Sequence, residues 1–531
     1  MKYIAYYFVN LEKKTPHNMN KYIILLSLTV FHFNLYAQEL FIDIKEEAIE
    51  YNTPRYIIPN SYKTFELNND ELEQKLLQAK LESDVKVRDS KLIIHLPTPT
   101  GEKIGFRFVE SPVMSSILSS KFPSIKTYLG ESMDGTITVR FDYSPKYGFH
   151  AMIRGVSESI FIDPYSFQNK KHIISYYKKD YTNPSKQNFK EEKPVSSIEY
   201  QKHLEYKSQN PASIQQLSSG DQLRTYRTAI ACTQQYSNFH GGTTEGTLAA
   251  MVTTMNRING VFETEVAIRL ILVDNNDDLI EYSVNAGMSN NNTGTLLNQS
   301  QDVIDDVIGN QNYDLGHTFS TGAGGLASLG VPCRSGEKAS GVTGTNSPVG
   351  DPFDIDYVAH ELGHQFGANH TFNGSSGSCS GGNRNEETAY EPGSATTIMG
   401  YAGLCGNHNI ESNSDPYFHA ISFDEISYLT KNGYGNTCAS ITETGNTIPE
   451  VVLEEVIHKI PVYTAFEIEG QGTDADGDIL TYSWEQMDLG PSGHPNYPSN
   501  NAPIFRAFSP SESPLRVFPR MYDLLNNTQT K

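Results

Sequence analysis

Apolar and polar residues alternate in short runs from about residue 38 to 180, and Pro, Gly and Asn break the runs. Segments 92–96, 136–141 and 159–162 read as strands and 69–82 as one helix, which predicts a mostly β domain. Residues 181–221 change character: Lys, Gln, Ser, Asn, Glu and Pro dominate, with little to bury. That composition predicts an exposed, cleavable linker. Periodic order returns sharply at Leu223. Strand-like runs at 224–231 and 266–273 then alternate with helical periodicity at 244–258 and 296–308, where Leu248, Met251, Val252, Met255 and Ile258 line one face of the first helix. Strands alternating with helices over 222–440 predict a mixed α/β sheet layered by helices.

A new β pattern begins after Thr447-Ile448-Pro449-Glu450. Runs at 466–470 and 480–484 flank Thr473 to Asp478, in the manner of cadherin or fibronectin type III sandwich modules. The sequence reaches Lys531 before enough strands for a sandwich accumulate, so 448–531 reads as a partial β module. Asp474, Asp476 and Asp478 carry the oxygen donors that calcium prefers, and an ordinary polar turn accounts for them equally well.

At 531 residues the chain is too long for one core. Its net charge is −21, and no Lys/Arg stripe exists to neutralise phosphates, which argues against nucleic acid as a partner. Residues 22–37 form an apolar run after Lys21, ending at Ala37-Gln38 in the pattern of a signal peptide over 1–37; Met19 is an alternative start. The run includes His32 and Asn34 and falls short of the ~20 apolar residues a membrane span needs. The expected location is therefore outside the cell. All five cysteines lie between 232 and 438 without a Cys-x-x-Cys pair, so they read as disulfides plus one left over.

The chemistry is concentrated in 360–370, which read His-Glu-Leu-Gly-His-Gln-Phe-Gly-Ala-Asn-His. On a helix His360 and His364 project from one face and can bind one zinc ion, with Glu361 beside it. Gly367 permits the change of direction that brings His370 in as a third ligand. Three neutral imidazoles leave a position for water, whose pKa such a site lowers to near 7, and an adjacent carboxylate can take the proton. That is machinery for hydrolysis.

This stretch resembles the long zinc signature of the metzincin metallopeptidases, and Thr397-Ile398-Met399-Gly400-Tyr401 resembles their Met-turn. Residues 353–359 and 370–372 resemble secreted bacterial reprolysin-like (adamalysin-like) enzymes. The resemblance implies a metzincin catalytic domain over 222–440, with a twisted mixed sheet above the active-site helix and a smaller lobe after Gly367. It further implies Met399 as an apolar floor under the imidazoles, and an edge strand within 322–330, with Gly324, Gly325, Leu326 and Ala327 pairing with extended substrate. Tyr401 would donate to the oxyanion, as in metzincins with a Met-x-Tyr sequence. Adamalysins proper lack that tyrosine and usually have Asp where this chain has Thr371, so both departures point to a bacterial branch. Family resemblance also pairs Cys333 with Cys438 and Cys379 with Cys405, leaving Cys232 as a small buried residue. It makes 38–180 a prodomain, for which an accessory binding domain is the alternative.

The reading is a secreted zinc metalloendopeptidase made as a zymogen and acting on proteins or peptides. Two rivals are an adhesion protein with a non-catalytic zinc site, which intact Glu361 argues against, and a metal-dependent amidase, which the Met-turn disfavours. Residues 38–221 contain no cysteine, so latency would rest on a carboxylate, another oxygen donor or steric cover.

Overall fold

The computed structural model describes residues 39–528 apart from 156–157, 182–185, 187–188, 197–217, 323 and 453–457. The expected signal peptide and most of the expected linker thus lie outside the described residues. No helix among the described residues is long and apolar enough to cross a membrane.

The N-terminal domain is a nine-stranded antiparallel sheet in the order β1-β2-β9-β8-β7-β6-β5-β4-β3. Its strands are β1 (Phe41–Asp43), β2 (Lys63–Leu67), β3 (Ile93–Pro97), β4 (Lys103–Glu110), β5 (Lys126–Ser132), β6 (Thr138–Ser144), β7 (Gly148–Arg154), β8 (Ile160–Pro164) and β9 (His172–Tyr177). Successive side chains point to opposite faces of a strand, and here both faces are covered. In β8, Ile160 and Ile162 enter a core with Phe65, Phe106, Phe141 and Phe149, while Phe161 points the other way into the core shared with the following domain. The predicted helix over 69–82 ends at Leu76. Beyond it the chain pairs with the end of β4, Glu110 N–H donating to Lys80 O and Glu82 N–H to Glu110 O, so the polar C-terminal half of the run serves the sheet.

The second domain holds a mixed sheet in the order β10-β14-β15-β13-β11-β12, with β16 paired to β11. The strands are β10 (Val195–Ser196), β11 (Gln222–Cys232), β12 (Ile268–Leu272), β13 (Leu315–Ser320), β14 (Gly325–Leu329), β15 (Gly341–Gly344) and β16 (Ser440–Glu443). Strands β12, β11, β13 and β15 run parallel, and β14 is antiparallel to β15. The helix predicted at 244–258 extends over Thr244–Val266 and is buried along most of its length. It lies between the two sheets, so tertiary burial on several faces sustains helix past the amphipathic stretch.

The two domains share one apolar core, in which Val113, Met114, Met152, Phe161 and Tyr176 join Met251, Met255, Ile258 and Phe366. Buried ion pairs cross the same boundary. Arg257, 1% exposed, bonds Asp163 at 2.7 Å and Asp354 at 2.9 Å, and Lys178 pairs with Asp351. Each charge in these clusters has a partner, which is the condition for burying it.

Two expectations need correcting. Within the segment expected to be an exposed linker, Lys186 and Phe189 are buried, at 3% and 6% exposure, because each has a specific partner described below. The C-terminal segment does not build sandwich strands in sequence: 450–452 pairs with 471–473 and 466–469 with 515–518, while 480–484 contributes a single bridge from Tyr482 to Ser511. Trp484 packs over Gly470 and donates to Pro514 O, and the segment turns back onto the second domain. Glu485 accepts from Ala420 N–H, Asn373 donates to Pro491 O, and Arg506 pairs with Glu411.

Candidate metal centre

The approach to the site is a π-helical stretch, Asp354–Ala359, running into the helix His360–Gln365. Such irregular turns persist where surrounding contacts fix them. Here Thr254 and Arg257 bond Asp354, while Lys186 Nζ and Ser414 N–H bond Asp356. Gly330 and Val331 at the end of β14 donate to His364 O and Gln365 O, tying the helix to the sheet.

The helix stops at Phe366, and Gly367 takes a φ of +96°, a conformation open to glycine. Asn369 is then clamped to Glu425 of the helix Ala420–Lys431 through its backbone and side-chain N–H groups, both at 2.8 Å. This turn delivers His370 beside His360 and His364.

All three imidazoles are oriented by main-chain carbonyls. Nδ1–H donates to Ile398 O from His360 at 2.6 Å, to Ala368 O from His364 at 2.7 Å and to Asn383 O from His370 at 2.7 Å. A carbonyl can only accept, so each Nδ1 carries the proton and each Nε2 directs a lone pair inward. Burial pushes the His364 imidazole down to about 3, favouring the neutral form there; at His360 burial acts in the same direction, but the Glu191 carboxylate outweighs it and raises the pKa. The Nε2 atoms of His364 and His370 are 3.0 Å apart.

A fourth donor completes the cluster. Glu191 Oε1 lies 3.0 Å from His360 Nε2, 3.2 Å from His364 Nε2 and 2.9 Å from His370 Nε2. Four lone-pair donors converging on one point form a cradle for a cation. Zinc–ligand bonds of about 2.0–2.1 Å place the corners of a tetrahedron about 3.3 Å apart, so these separations fit zinc.

Glu361 is fully buried, and neither of its carboxylate oxygens has a hydrogen-bond partner among the described residues. Burial, and then the charge of Glu191, raise its pKa well above the ordinary value. It faces β14 at Gly325, where a Cβ would collide with its Oε1 and with the Phe189 ring. The Tyr401 side chain is also buried, its ring 4.6 Å from that of His370 and stacked on Phe372. Burial, followed by the charges of Glu191 and Glu361, raises its pKa.

Met399 is buried under the helix, where a Cβ on Gly363 would collide with its Sδ. The turn holding it hangs on Glu391, which is buried and accepts from Thr371 Oγ1 at 2.6 Å, Thr397 Oγ1 at 2.5 Å and Thr396 N–H at 3.0 Å. Strand β14 begins after Gly324 and carries Gly325, Leu326 and Ala327 beside the site. Disulfides join Cys333 to Cys438 and Cys379 to Cys405, while Cys232 is buried in the core outside any disulfide.

Glu391, Gly363 and Glu191 have no place in the sequence-based site. Glu391 and Glu191 lie apart in sequence from the histidine motif, and nothing local marks them. Asp474, Asp476 and Asp478 do come together, but Asp474 Oδ1 accepts the N–H groups of Asp476 and Asp478, and Asp476 accepts from Thr447. The aspartates thus make the bonds of a polar turn.

No curated protein matches the chain. Residues 222–429 match the family model described as metallopeptidase family M12B, reprolysin-like, whose members are zinc-dependent. That segment contains β11 to β15, the three histidines, Glu361 and the Met399 turn, so the match supports a reprolysin-like metallopeptidase unit over residues 222–429.

Proposed function

We propose that this is a secreted, zinc-dependent endopeptidase made as a zymogen, with residues 38–180 as its prodomain. The observation that carries the reading is the meeting of three inward-facing imidazole lone pairs with the buried, unpartnered carboxylate of Glu361. His360, His364 and His370 would hold zinc, which supplies polarisation of the scissile carbonyl and acidification of a water molecule. Glu361 takes the proton of that water and later delivers it to the leaving amine. An adhesion protein would have no use for such a group at this point.

The Tyr401 hydroxyl donates to the carbonyl oxygen as negative charge builds on it, a role suited to a buried hydroxyl beside the three histidines. Extended peptide pairs with the outer edge of β14 at Gly325 to Ala327, which favours polypeptide over a small amide. A cavity of 570 Å³ lined by Glu191, Glu192, Asn291, Thr293, Gly324 and Thr345 lies at the start of that edge. In the test, the processed enzyme is incubated with casein before and after removal of metal by a chelator. Cleavage that is lost on chelation and restored by zinc is the expected result; a processed, zinc-replete protein that cleaves no polypeptide would contradict the reading.

A further inference from the structure

Glu191 precedes the residues matched to the peptidase family, yet its carboxylate stands among the three histidines. Its neighbours are held as firmly. Lys186 Nζ bonds Asp356 Oδ2 and Ser412 O, both at 2.6 Å. The Phe189 ring stacks on Tyr357 at 3.7 Å with the planes 5° apart. Glu191 then pairs with Gly325, where Gly325 N–H donates to Lys190 O and Glu192 N–H to Gly325 O. Val195 and Ser196 continue this pairing as β10, parallel to β14. One short segment therefore occupies both the metal cradle and the strand edge assigned to substrate.

We propose that Glu191 is a carboxylate latch, a fourth ligand from the chain's own N-terminal region that takes the coordination position water requires. This rests on the zymogen reading above and names the group responsible for latency. Two features of the site favour ligation over simple cover. Glu191 Oε1 is within 3.2 Å of all three Nε2 atoms, where each Nδ1 already carries the proton. The side chain is 3% exposed, so a carboxylate with no cation to bind would be costly there.

The latch has a corollary. Lys186 and Phe189 hold the segment on the second domain, and Arg257–Asp163, Lys178–Asp351 and the shared apolar core hold the N-terminal domain there as well. Cutting the chain between 196 and 218 leaves these contacts intact. Activation requires the N-terminal fragment to leave or be degraded.

The test uses the uncut full chain as wild type, Glu191→Ala and the isosteric Glu191→Gln, each loaded with cobalt(II) in place of zinc after metal content and thermal unfolding are checked. The readouts are the visible cobalt bands and the affinity for a small hydroxamate that needs an open coordination position. A latch closed 99% of the time weakens apparent hydroxamate affinity about 100-fold. Both variants are thus expected to bind hydroxamate about 100-fold more tightly than wild type and to show shifted cobalt bands. In a fourth chain, carrying a site for a sequence-specific protease between 196 and 218, cutting should leave the wild-type bands unchanged until the fragments are separated. Identical bands and affinities in wild type, Glu191→Ala and Glu191→Gln, all cobalt-replete, would overturn the latch while leaving the metal reading standing. Failure of all three to bind cobalt or zinc would instead sink the metal reading, and the latch with it.

Discussion

Gly363 has no room for a side chain. A Cβ there would run into Met399 Sδ, with Phe418 close behind, so helix and Met399 turn approach as closely as backbone allows. We expect Gly363→Ala to destabilise the processed enzyme by about 1–3 kcal/mol, the usual cost of overpacking, despite the better helix propensity of alanine. Urea denaturation measures this; an unchanged or higher midpoint would mean that Met399 is not a rigid floor. The histidine spacing of four, and the glycine that frees His370, were legible because local helix geometry fixes them. Gly363 was not, since its constraint comes from a residue distant in sequence. Glu191 was not legible by name: the lack of cysteine ahead of the domain left a carboxylate, another oxygen donor or steric cover, and which residue stands among the histidines depends on a strand pairing with no local pattern.

The covalent links and the last segment belong to the scale of elements. Cys333 bonds Cys438 across a sequence separation of 105 residues, tying the end of β14 to the start of β16. Cys333→Ser should cost about 2–4 kcal/mol, and non-reducing peptide mapping of the wild type should return this pair and Cys379 with Cys405. A bridge containing Cys232 would overturn the assignment. The C-terminal segment was misread because strand-like composition does not specify its partner, and here the partner is largely the second domain. Limited proteolysis should accordingly spare 485–507, where Ala502 and Ala507 are buried, and cut first near exposed Val462 and Tyr463. Early loss of everything after 447 would restore the picture of an independent module. The strand at 266–273 was readable for the opposite reason, since an apolar run of this kind bounded by helices has one stable use in a layered sheet.

At the scale of the whole molecule, the two domains bury polar side chains where they meet. His240 lies there, fully buried, with Nδ1 at 3.1 Å from the Tyr147 hydroxyl of the N-terminal domain. Burial pushes this imidazole down to about 3. Between that value and an unfolded value near 6.5 the unfolded chain binds the proton and the folded chain does not, so stability rises with pH across this window and is fully present above it. Each such histidine is worth about 1.4 kcal/mol per pH unit. Unfolding of the uncut chain should therefore become easier as pH falls from 6.5 towards 4, with a shallower slope in His240→Gln. An equal slope in both would show that His240 titrates normally. None of this was visible in the sequence, because a lone histidine carries no sign of what a second domain will lay over it.

The central claim is that Glu361 performs proton transfer at a zinc site it does not help to build. Its carboxylate is outside the set of four converging donors, so Glu361→Ala should leave the metal in place. The most direct measurement pairs zinc content with casein hydrolysis for the processed wild type, Glu361→Ala and His364→Ala. Glu361→Ala should retain one zinc and lose about 10²- to 10⁴-fold or more in turnover, while His364→Ala should lose metal and activity together. Near-normal cleavage by zinc-replete Glu361→Ala would contradict the account.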